Sequence, residues 1–359
     1  MQDTEIGSSS CGTAGSYEKQ TSTNPSNMLT TVRNALFVLF ISLTASFAAE
    51  ENLSRQIDVT SGGKLVVDVD FGTIQVGASA DGKVVLEAHR MVEFGNETRE
   101  KEYLAAAPIT VTQEGNVVTV RARRTESWSN WHFGYSRMDA SYTLHVPKKF
   151  DLDLHTNGGE IAAVDISGDL KAHTSGGKLE FANLEGTLTA HTSGGSIKME
   201  NCRCPAEIKT SGGSISVVNG SGVLHAETSG GRIEVRNLSG DADVETSGGR
   251  LALEKIRGKL VGRTSGGSIH TSIPDEVVGD MQLRTSAGSI ELAVPENAAL
   301  DIDARTSGGH VTSELPLTTS QSKRDHLRGK LNGGGKSVVL ETSAGSITIK
   351  AASSQVVQR

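Results

Sequence analysis

The chain has 359 residues and a formal net charge of −7 at pH 7, with 41 glycines, 7 prolines and only 4% aromatic residues. This length is enough for a folded core, but the composition predicts a thin, aliphatic one. The mild acidity excludes the concentrated positive charge with which most nucleic-acid-binding domains attract their partner, so we expect no nucleic acid.

The first 27 residues are small and polar, a composition typical of a disordered segment that cannot bury a core. Met28 precedes a second, apolar segment. We therefore predict that residues 1–27 are either disordered or an over-extended start, with Met28 as the true first residue.

Residues 28–48 have the layout of a secretory signal peptide. Arg33 precedes the apolar run Ala35–Ala45, and small residues flank Phe47 at the positions that a signal peptidase recognises. We expect an exported protein, located in the periplasm, at the cell surface or outside the cell. The alternative is an uncleaved anchor over Ala35–Ala48, although a membrane span needs about 20 apolar residues.

Residues 50–150 differ from the rest of the chain and predict a β-rich N-terminal cap. Alternating apolar residues indicate strands such as Leu65–Val69, and Gly115-Asn116 separates two strands of a predicted hairpin. Helix formers over Glu97–Ala107 end at a proline and predict a short helix.

A repeated motif, Thr-Ser/Asn-Gly/Ala-Gly, organises the remainder of the chain. The first seven copies lie 18 residues apart, the next two steps are 21 residues, and the last step is 36. A fixed period of this length is the mark of a repeat architecture. The threonines are Thr156, Thr174, Thr192, Thr210, Thr228, Thr246, Thr264, Thr285, Thr306 and Thr342.

Each repeat contains two short strands separated by glycine-containing turns. Apolar residues recur five and seven positions after the threonine, and again at positions fourteen and sixteen, as in half-buried strands. One repeat cannot bury its apolar row, but stacked repeats can. The pattern predicts an all-β fold, a parallel β-solenoid with 18-residue coils over residues 151–350. An antiparallel meander is the competing arrangement, but it does not require a constant period.

Two details of the repeats carry further expectations. The glycines two and three positions after each threonine are expected to supply the positive φ of a sharp corner. The 36-residue step predicts a polar loop with a degenerate coil over residues 316–335, and residues 351–359 form a polar tail.

The chain resembles the bacterial family of domain of unknown function 4097 (DUF4097), whose members are called putative adhesins. The resemblance covers roughly residues 55–350. It implies an exported, envelope-associated β-solenoid without established catalytic residues. The residues that carry it are Val120–Arg123, Tyr142–Pro147, Leu152–Ile161 and the later Thr-Ser-Gly-Gly units.

Three groups of residues are candidates for chemistry. Cys202 and Cys204 occupy an apolar and a turn position of one repeat, which predicts two free thiols that point apart. A histidine precedes each of three successive threonines. We predict that these histidines form a column on an outer face, with neighbouring residues about 4.8 Å apart, as a candidate metal site or as a polar ladder. These histidines are His155, His173 and His191.

One aromatic cluster stands out in this aromatic-poor chain: Trp128, Trp131, Phe133 and Tyr135. Exposed, it would stack on sugar rings or anchor a partner; otherwise it packs over the open end of the solenoid.

The expected function is that of a non-enzymatic structural or adhesive module of the cell envelope. The chain has no phosphate-binding loop, calcium nonapeptide, nucleophile elbow or His-Glu-x-x-His motif, so we expect no cofactor. The alternatives are a carbohydrate-binding module that uses the aromatic loop and, last, a polysaccharide-acting β-helix enzyme. The expected partner is an envelope or surface protein or a glycan, with membrane contact only through Ala35–Ala48 if that segment is not cleaved.

Overall fold

The computed structural model describes residues 49–124 and 137–352. The predicted signal peptide, the segment before it and the aromatic cluster lie outside the described residues, as does nearly all of the C-terminal tail. Within the described part of the chain no helix is long and apolar enough to cross a membrane.

The N-terminal part contains seven strands and one short helix. The predicted hairpin forms between β5 and β6, and the predicted helix begins after an Asn96 cap whose side chain accepts a hydrogen bond from the Arg99 amide. The elements are β1 Ala49–Asp58, β2 Gly63–Phe71, β3 Thr73–Ser79, β4 Lys83–Glu93, α1 Glu97–Ala106, β5 Thr110–Glu114, β6 Val117–Ala122 and β7 Arg137–Pro147.

The repeats form pairs of short strands in regular succession. The strands of the regular repeats are β8 Phe150–Gly158, β9 Ile161–Val164, β10 Ser167–Thr174, β11 Leu179–Ala182, β12 Glu185–Thr192, β13 Ile197–Glu200, β14 Ala206–Thr210, β15 Ile215–Ser221, β16 Leu224–Thr228, β17 Ile233–Ser239, β18 Ala242–Thr246, β19 Leu251–Arg257, β20 Leu260–Thr264, β21 Ile269–Ser272, β22 Met281–Thr285 and β23 Ile290–Val294. The last strands are β24 Leu300–Thr306, β25 Val311–Ser313, β26 Thr318–Ser322, β27 His326–Leu331, β28 Lys336–Thr342 and β29 Ile347–Ala351.

Each repeat contributes one strand to each of two sheets and so forms one coil, which we name by its threonine. One sheet contains β8, β10, β12 and their equivalents, and the other contains β9, β11, β13 and theirs. The strands pair in parallel with like residues opposite one another, as in Thr174↔Thr192 and Leu179↔Ile197. The parallel β-solenoid predicted from the period is confirmed.

The stacking order departs from the chain order at both ends. The coil of β2 and β3 lies between the coil of β6 and β7 and the coil of Thr156. At the other end the last coil, Thr342, lies between the coils of Thr285 and Thr306. The sequence period does not show either exchange, because all coils present similar edges.

Antiparallel strands flank the stack of coils. Residues 50–150, expected to be a cap, contribute two parallel coils together with the antiparallel strands β1, β4 and β5. The prediction of a degenerate coil over residues 316–335 is wrong. This segment forms the antiparallel hairpin β26–β27, which pairs with β24. Leu327 and Leu331 of the hairpin are buried, so the hairpin covers the end of the core.

The threonine of each motif joins neighbouring coils through its hydroxyl group. In nine coils the buried hydroxyl donates a hydrogen bond of 2.7–3.0 Å to a glycine carbonyl of the adjacent coil. The same hydroxyl accepts a bond of 3.1–3.3 Å from the amide of the glycine three positions later, which is the last residue of its own motif. The buried corner is therefore satisfied without water.

The role predicted for the motif glycines is wrong in most coils. Among the described coils only Gly159 has a positive φ at this position, whereas Gly177, Gly195 and their equivalents do not. The second glycine is required because a Cβ would lie within 1.6–2.2 Å of a carbonyl oxygen in the adjacent coil. The positive φ is found instead nine positions after the threonine in six coils, and twelve positions after it in three. The residues are Asp165, Asn183, Asn201, Asn219, Asn237 and Lys255 at the first position and Gly186, Gly222 and Gly240 at the second.

Candidate functional site

The structure brings the three predicted histidines together in one column. His155, His173 and His191 are direct partners in adjacent strands, and the rings of the first two stack with centroids 4.9 Å apart and an interplanar angle of 18°. Burial, with a smaller effect of His155 and His191, lowers the pKa of His173. No group of three or more metal-ligating side chains with suitable geometry occurs in the described residues. The metal site stays a prediction.

The two cysteines are free, as predicted, and both are buried. The Cys202 thiol donates a hydrogen bond to the Glu200 carbonyl at 3.3 Å. The neighbouring Cys202 thiol and burial raise the pKa of the Cys204 thiol. The aromatic cluster at residues 128–135 lies outside the described residues, so its role as a ligand site stays a prediction.

The histidine column continues along the stack into a polar groove of about 690 Å³ near the C-terminal end, which we call the C-terminal groove. Five coils and the β26–β27 hairpin form it. It is lined by Glu245, Thr246, Arg263, Thr264, Ser265, Arg284, Thr285, Ser286, Arg305, Thr306, Ser307, Asp325, His326, Glu341, Thr342 and Ser343.

The solenoid places these side chains in two rows. One row consists of the residues that precede the threonines: Glu245, Arg263, Arg284, Glu341, Arg305, and then His326 of the hairpin, in spatial order. The other row contains the serines that follow the threonines. Because the threonine side chains point into the core, the residues before and after them flank a shallow channel.

Ion pairs hold the three arginines of the C-terminal groove. Arg263 donates to Asp243 at 2.8 Å, and Arg284 lies 2.8 Å from Glu341. Arg305 donates to Asp303 at 2.7 Å. The arginine side chains nevertheless remain 42–53% exposed, so each guanidinium keeps donors that face solvent.

Asp303 organises the hairpin end of the C-terminal groove. It accepts from Arg305, contacts His326 Nε2 at 3.0 Å and lies 3.8 Å from Arg328. Burial raises the pKa of Asp303, but the hydrogen bonds from Arg305 and His326 outweigh this effect and hold it below its usual value. Asp303 therefore stays ionised and fixes the side chains of Arg305 and His326 beside it.

The serine row has hydroxyl groups available for a ligand. In the described residues the side chains of Ser265, Ser286, Ser307 and Ser343 make no hydrogen bond. All four follow a threonine whose hydroxyl is already used between coils. The serines thus provide a row of unused donors and acceptors about 4.8 Å apart.

Sequence reasoning missed the C-terminal groove. The column of polar residues before the threonines was evident, and it contains arginine at three of its last positions: Arg263, Arg284 and Arg305. Their neighbours were not evident, since the coil of Thr342 enters between two earlier coils and brings Glu341 beside Arg284. The hairpin that supplies His326 was also unexpected.

Comparison with known proteins bears on the fold. The model of the family described as Toastrack DUF4097 matches residues 62–350. No curated protein sequence matches the chain significantly.

Several solved structures resemble the chain at low identity. A "putative adhesin" from Bacteroides fragilis NCTC 9343 is 14% identical with a TM-score of 0.35, and a "putative lipid binding protein" from Parabacteroides distasonis ATCC 8503 is 13% identical with a TM-score of 0.37. Each match covers 84% of this chain and 97% of the other. A "putative cell adhesion protein" from Clostridium sporogenes ATCC 15579 is 12% identical with a TM-score of 0.22, over 84% of this chain and all of the other. Similarity of this degree carries no argument about ligands.

Proposed function

The chain belongs to the Toastrack DUF4097 family, and from this premise we propose that it is an exported, non-enzymatic binding module of the cell envelope, of the adhesin type. Its proposed binding surface is the C-terminal groove, and its partner is a polar surface polymer or protein.

The observation that carries this proposal is the C-terminal groove itself. It spans five coils and offers half-exposed guanidinium groups opposite serine hydroxyls without internal partners. Such a surface binds through many weak polar contacts along its length rather than by enclosing a small substrate. A regular stack of coils suits this task, since each coil adds the same donors at the same spacing.

Export is supported by the sequence of residues 28–48, which has the charged, apolar and small-residue regions of a signal peptide. Fractionation of the native organism with mass spectrometry of the mature N-terminus tests it. A first residue near Ala49 in a surface or soluble fraction outside the cytoplasm is expected. Recovery of the intact chain in the cytoplasm would contradict export.

Binding is tested by measuring how much purified full-length protein attaches to isolated envelopes of the same organism. Ser286→Trp places a large ring in the C-terminal groove, and we expect it to reduce attachment at least about fivefold, a loss of roughly 1 kcal/mol. Ser193→Trp is the matched control, because it changes the equivalent serine in a coil outside the C-terminal groove.

Two results would contradict the proposal. Equal attachment of both variants would remove the C-terminal groove from the function. Shortening of the envelope polymer during incubation with the protein would show that the module is an enzyme.

A further inference from the structure

We infer that the C-terminal groove binds an acidic polysaccharide, a hydroxyl-rich chain that carries separated carboxylate groups, and that Arg263 and Arg284 together hold one carboxylate. This inference rests on the proposed function and deepens it, because it names the ligand class and the two residues that select it.

The two arginines lie side by side on adjacent strands. Arg263 and Arg284 are direct partners in the parallel pairing of β20 with β22, so their backbones are about 4.8 Å apart. Two guanidinium groups at this separation can bind the two oxygens of one carboxylate from both sides. Charge-assisted hydrogen bonds of this kind are roughly twice as strong as hydrogen bonds between neutral groups.

The intrinsic ion pairs of these arginines point away from the space between them. Arg263 pairs with Asp243, which belongs to the coil before it, and Arg284 pairs with Glu341, which belongs to the coil beyond it. The adjacent outward positions of the same two strands are Val261 and Gln282, which carry no charge. Glu245, on the same preceding coil as Asp243, also lies 3.9 Å from Arg263. The acids therefore flank the arginine pair from its outer sides, and none lies between the two arginines.

The rest of the C-terminal groove disfavours a densely charged polymer. Its three arginines are matched by Glu245, Asp325 and Glu341. A chain with a negative charge at every unit would meet these carboxylates at close range, and repulsion would cancel the attraction at the arginines. A chain with widely spaced anions avoids this. Its hydroxyl groups can donate to the carboxylates and accept from the serines.

A peptide ligand is less suited to this surface. The lining consists of charged residues, threonines, serines and one histidine, and it includes no large apolar side chain. Peptide and protein partners usually depend on a few buried aromatic or aliphatic anchors. Carbohydrate hydroxyls, in contrast, both donate and accept hydrogen bonds, which suits a surface on which donors and acceptors alternate.

The test is equilibrium binding, by calorimetry, of an oligosaccharide of about four units in which uronic acids alternate with neutral sugars to the full-length protein. Its methyl ester and a neutral glucose oligosaccharide of equal length serve as ligand controls. We expect binding of the acid form, at least about tenfold weaker binding of both neutral forms, and weakening with added salt.

Two protein variants identify the residues. Arg263→Gln with Arg284→Gln should weaken binding of the acid form at least about tenfold, because two charge-assisted contacts are lost. The matched control is Arg232→Gln with Arg250→Gln, an exposed arginine pair on adjacent coils outside the C-terminal groove, which should bind normally. Unchanged melting temperatures establish that each variant is folded.

The outcomes separate this inference from the proposed function. If both arginine double variants lose the same affinity, or if the acid and its ester bind equally well, the binding is nonspecific and the inference is wrong. If Trp131→Ala loses binding and the Arg263→Gln, Arg284→Gln variant does not, the site belongs to the aromatic segment and the inference is also wrong. If no oligosaccharide binds but Ser286→Trp still prevents attachment to envelopes, the proposed function stands and the ligand class is wrong. If Ser286→Trp has no effect either, both are wrong.

Discussion

At the scale of single residues, the repeat motif performs two different tasks at adjacent positions. The threonine hydroxyl satisfies polar backbone groups of two coils, and the second glycine lets those coils approach one another. The first glycine has neither task. In the coil of Thr228, a Cβ at Gly231 would lie 1.8 Å from the Gly213 oxygen, but at Gly230 the nearest atom is 3.8 Å away. The two glycines look equivalent in the sequence and differ only in the stack.

This difference predicts unequal effects of the same substitution. Gly231→Ala should destabilise the protein by about 4 kcal/mol or more, because neither the Cβ nor the backbone oxygen can move away without separating the coils. Gly230→Ala is the control and should change stability by less than about 1 kcal/mol. Urea unfolding of both variants measures the difference. Similar midpoints for the two would show that close backbone approach is not the reason for the glycine.

At the scale of elements, the β26–β27 hairpin is attached to the stack by backbone pairing and by a cluster of charges. Asp303 on β24 faces Arg305 on the same strand and His326 and Arg328 on β27. Because the carboxylate is only 20% exposed, its hydrogen bonds are screened less than those of surface pairs. The hairpin end of the C-terminal groove therefore depends on one ionised group.

The lowered pKa of Asp303 predicts how stability depends on pH. A carboxyl group whose pKa is lower in the folded state stabilises the fold above its unfolded pKa of about 3.9, and this contribution is lost as the pH falls through the folded value. Asp303→Asn should cost about 1 kcal/mol at pH 7. The cost should shrink as the pH falls below about 4, where the unfolded chain binds the proton first, and should disappear once the folded wild-type carboxyl is protonated as well.

Unfolding of the Asp303→Asn variant and the parent protein at several pH values measures this effect. Asp275→Asn is a suitable control, since it removes a more exposed ion pair with Arg257 and should cost less than about 0.5 kcal/mol. A cost for Asp303→Asn that stays constant between pH 7 and pH 3 would contradict the assignment.

At the scale of the described chain as a whole, the order of the coils in the stack differs from their order in the sequence. β28 and β29 come last in the chain but have paired strands on both sides, whereas β25 comes earlier and pairs only with β29. Stability in stacked repeats depends on neighbours, so an internal coil should open less readily than a terminal one.

Hydrogen exchange can distinguish the two orders. Amides of β29 should exchange at least about tenfold more slowly than those of β25, because opening β29 breaks pairing with two strands. Exchange measured by NMR or by mass spectrometry of peptides that cover Val311–Ser313 and Ile347–Ala351 checks this. Faster exchange in β29 would indicate that the last coil is instead an outer one.

The sequence by itself determined the periodic part of this protein. The 18-residue spacing and the alternation of apolar residues are sufficient to predict two strands per coil and a parallel stack. The reason is that the apolar residues at one position of a repeat are buried against those at the same position of the next repeat. The histidine column at 155, 173 and 191 followed from the same register.

Only the tertiary structure decided which coils are neighbours. Similar coils present similar edges, so no local pattern shows that the coil of Thr342 enters between those of Thr285 and Thr306. That exchange places Glu341 beside Arg284, and the hairpin adds His326 and Asp325. The C-terminal groove therefore arises from long-range pairing, whereas the repeat that supports it arises from local sequence.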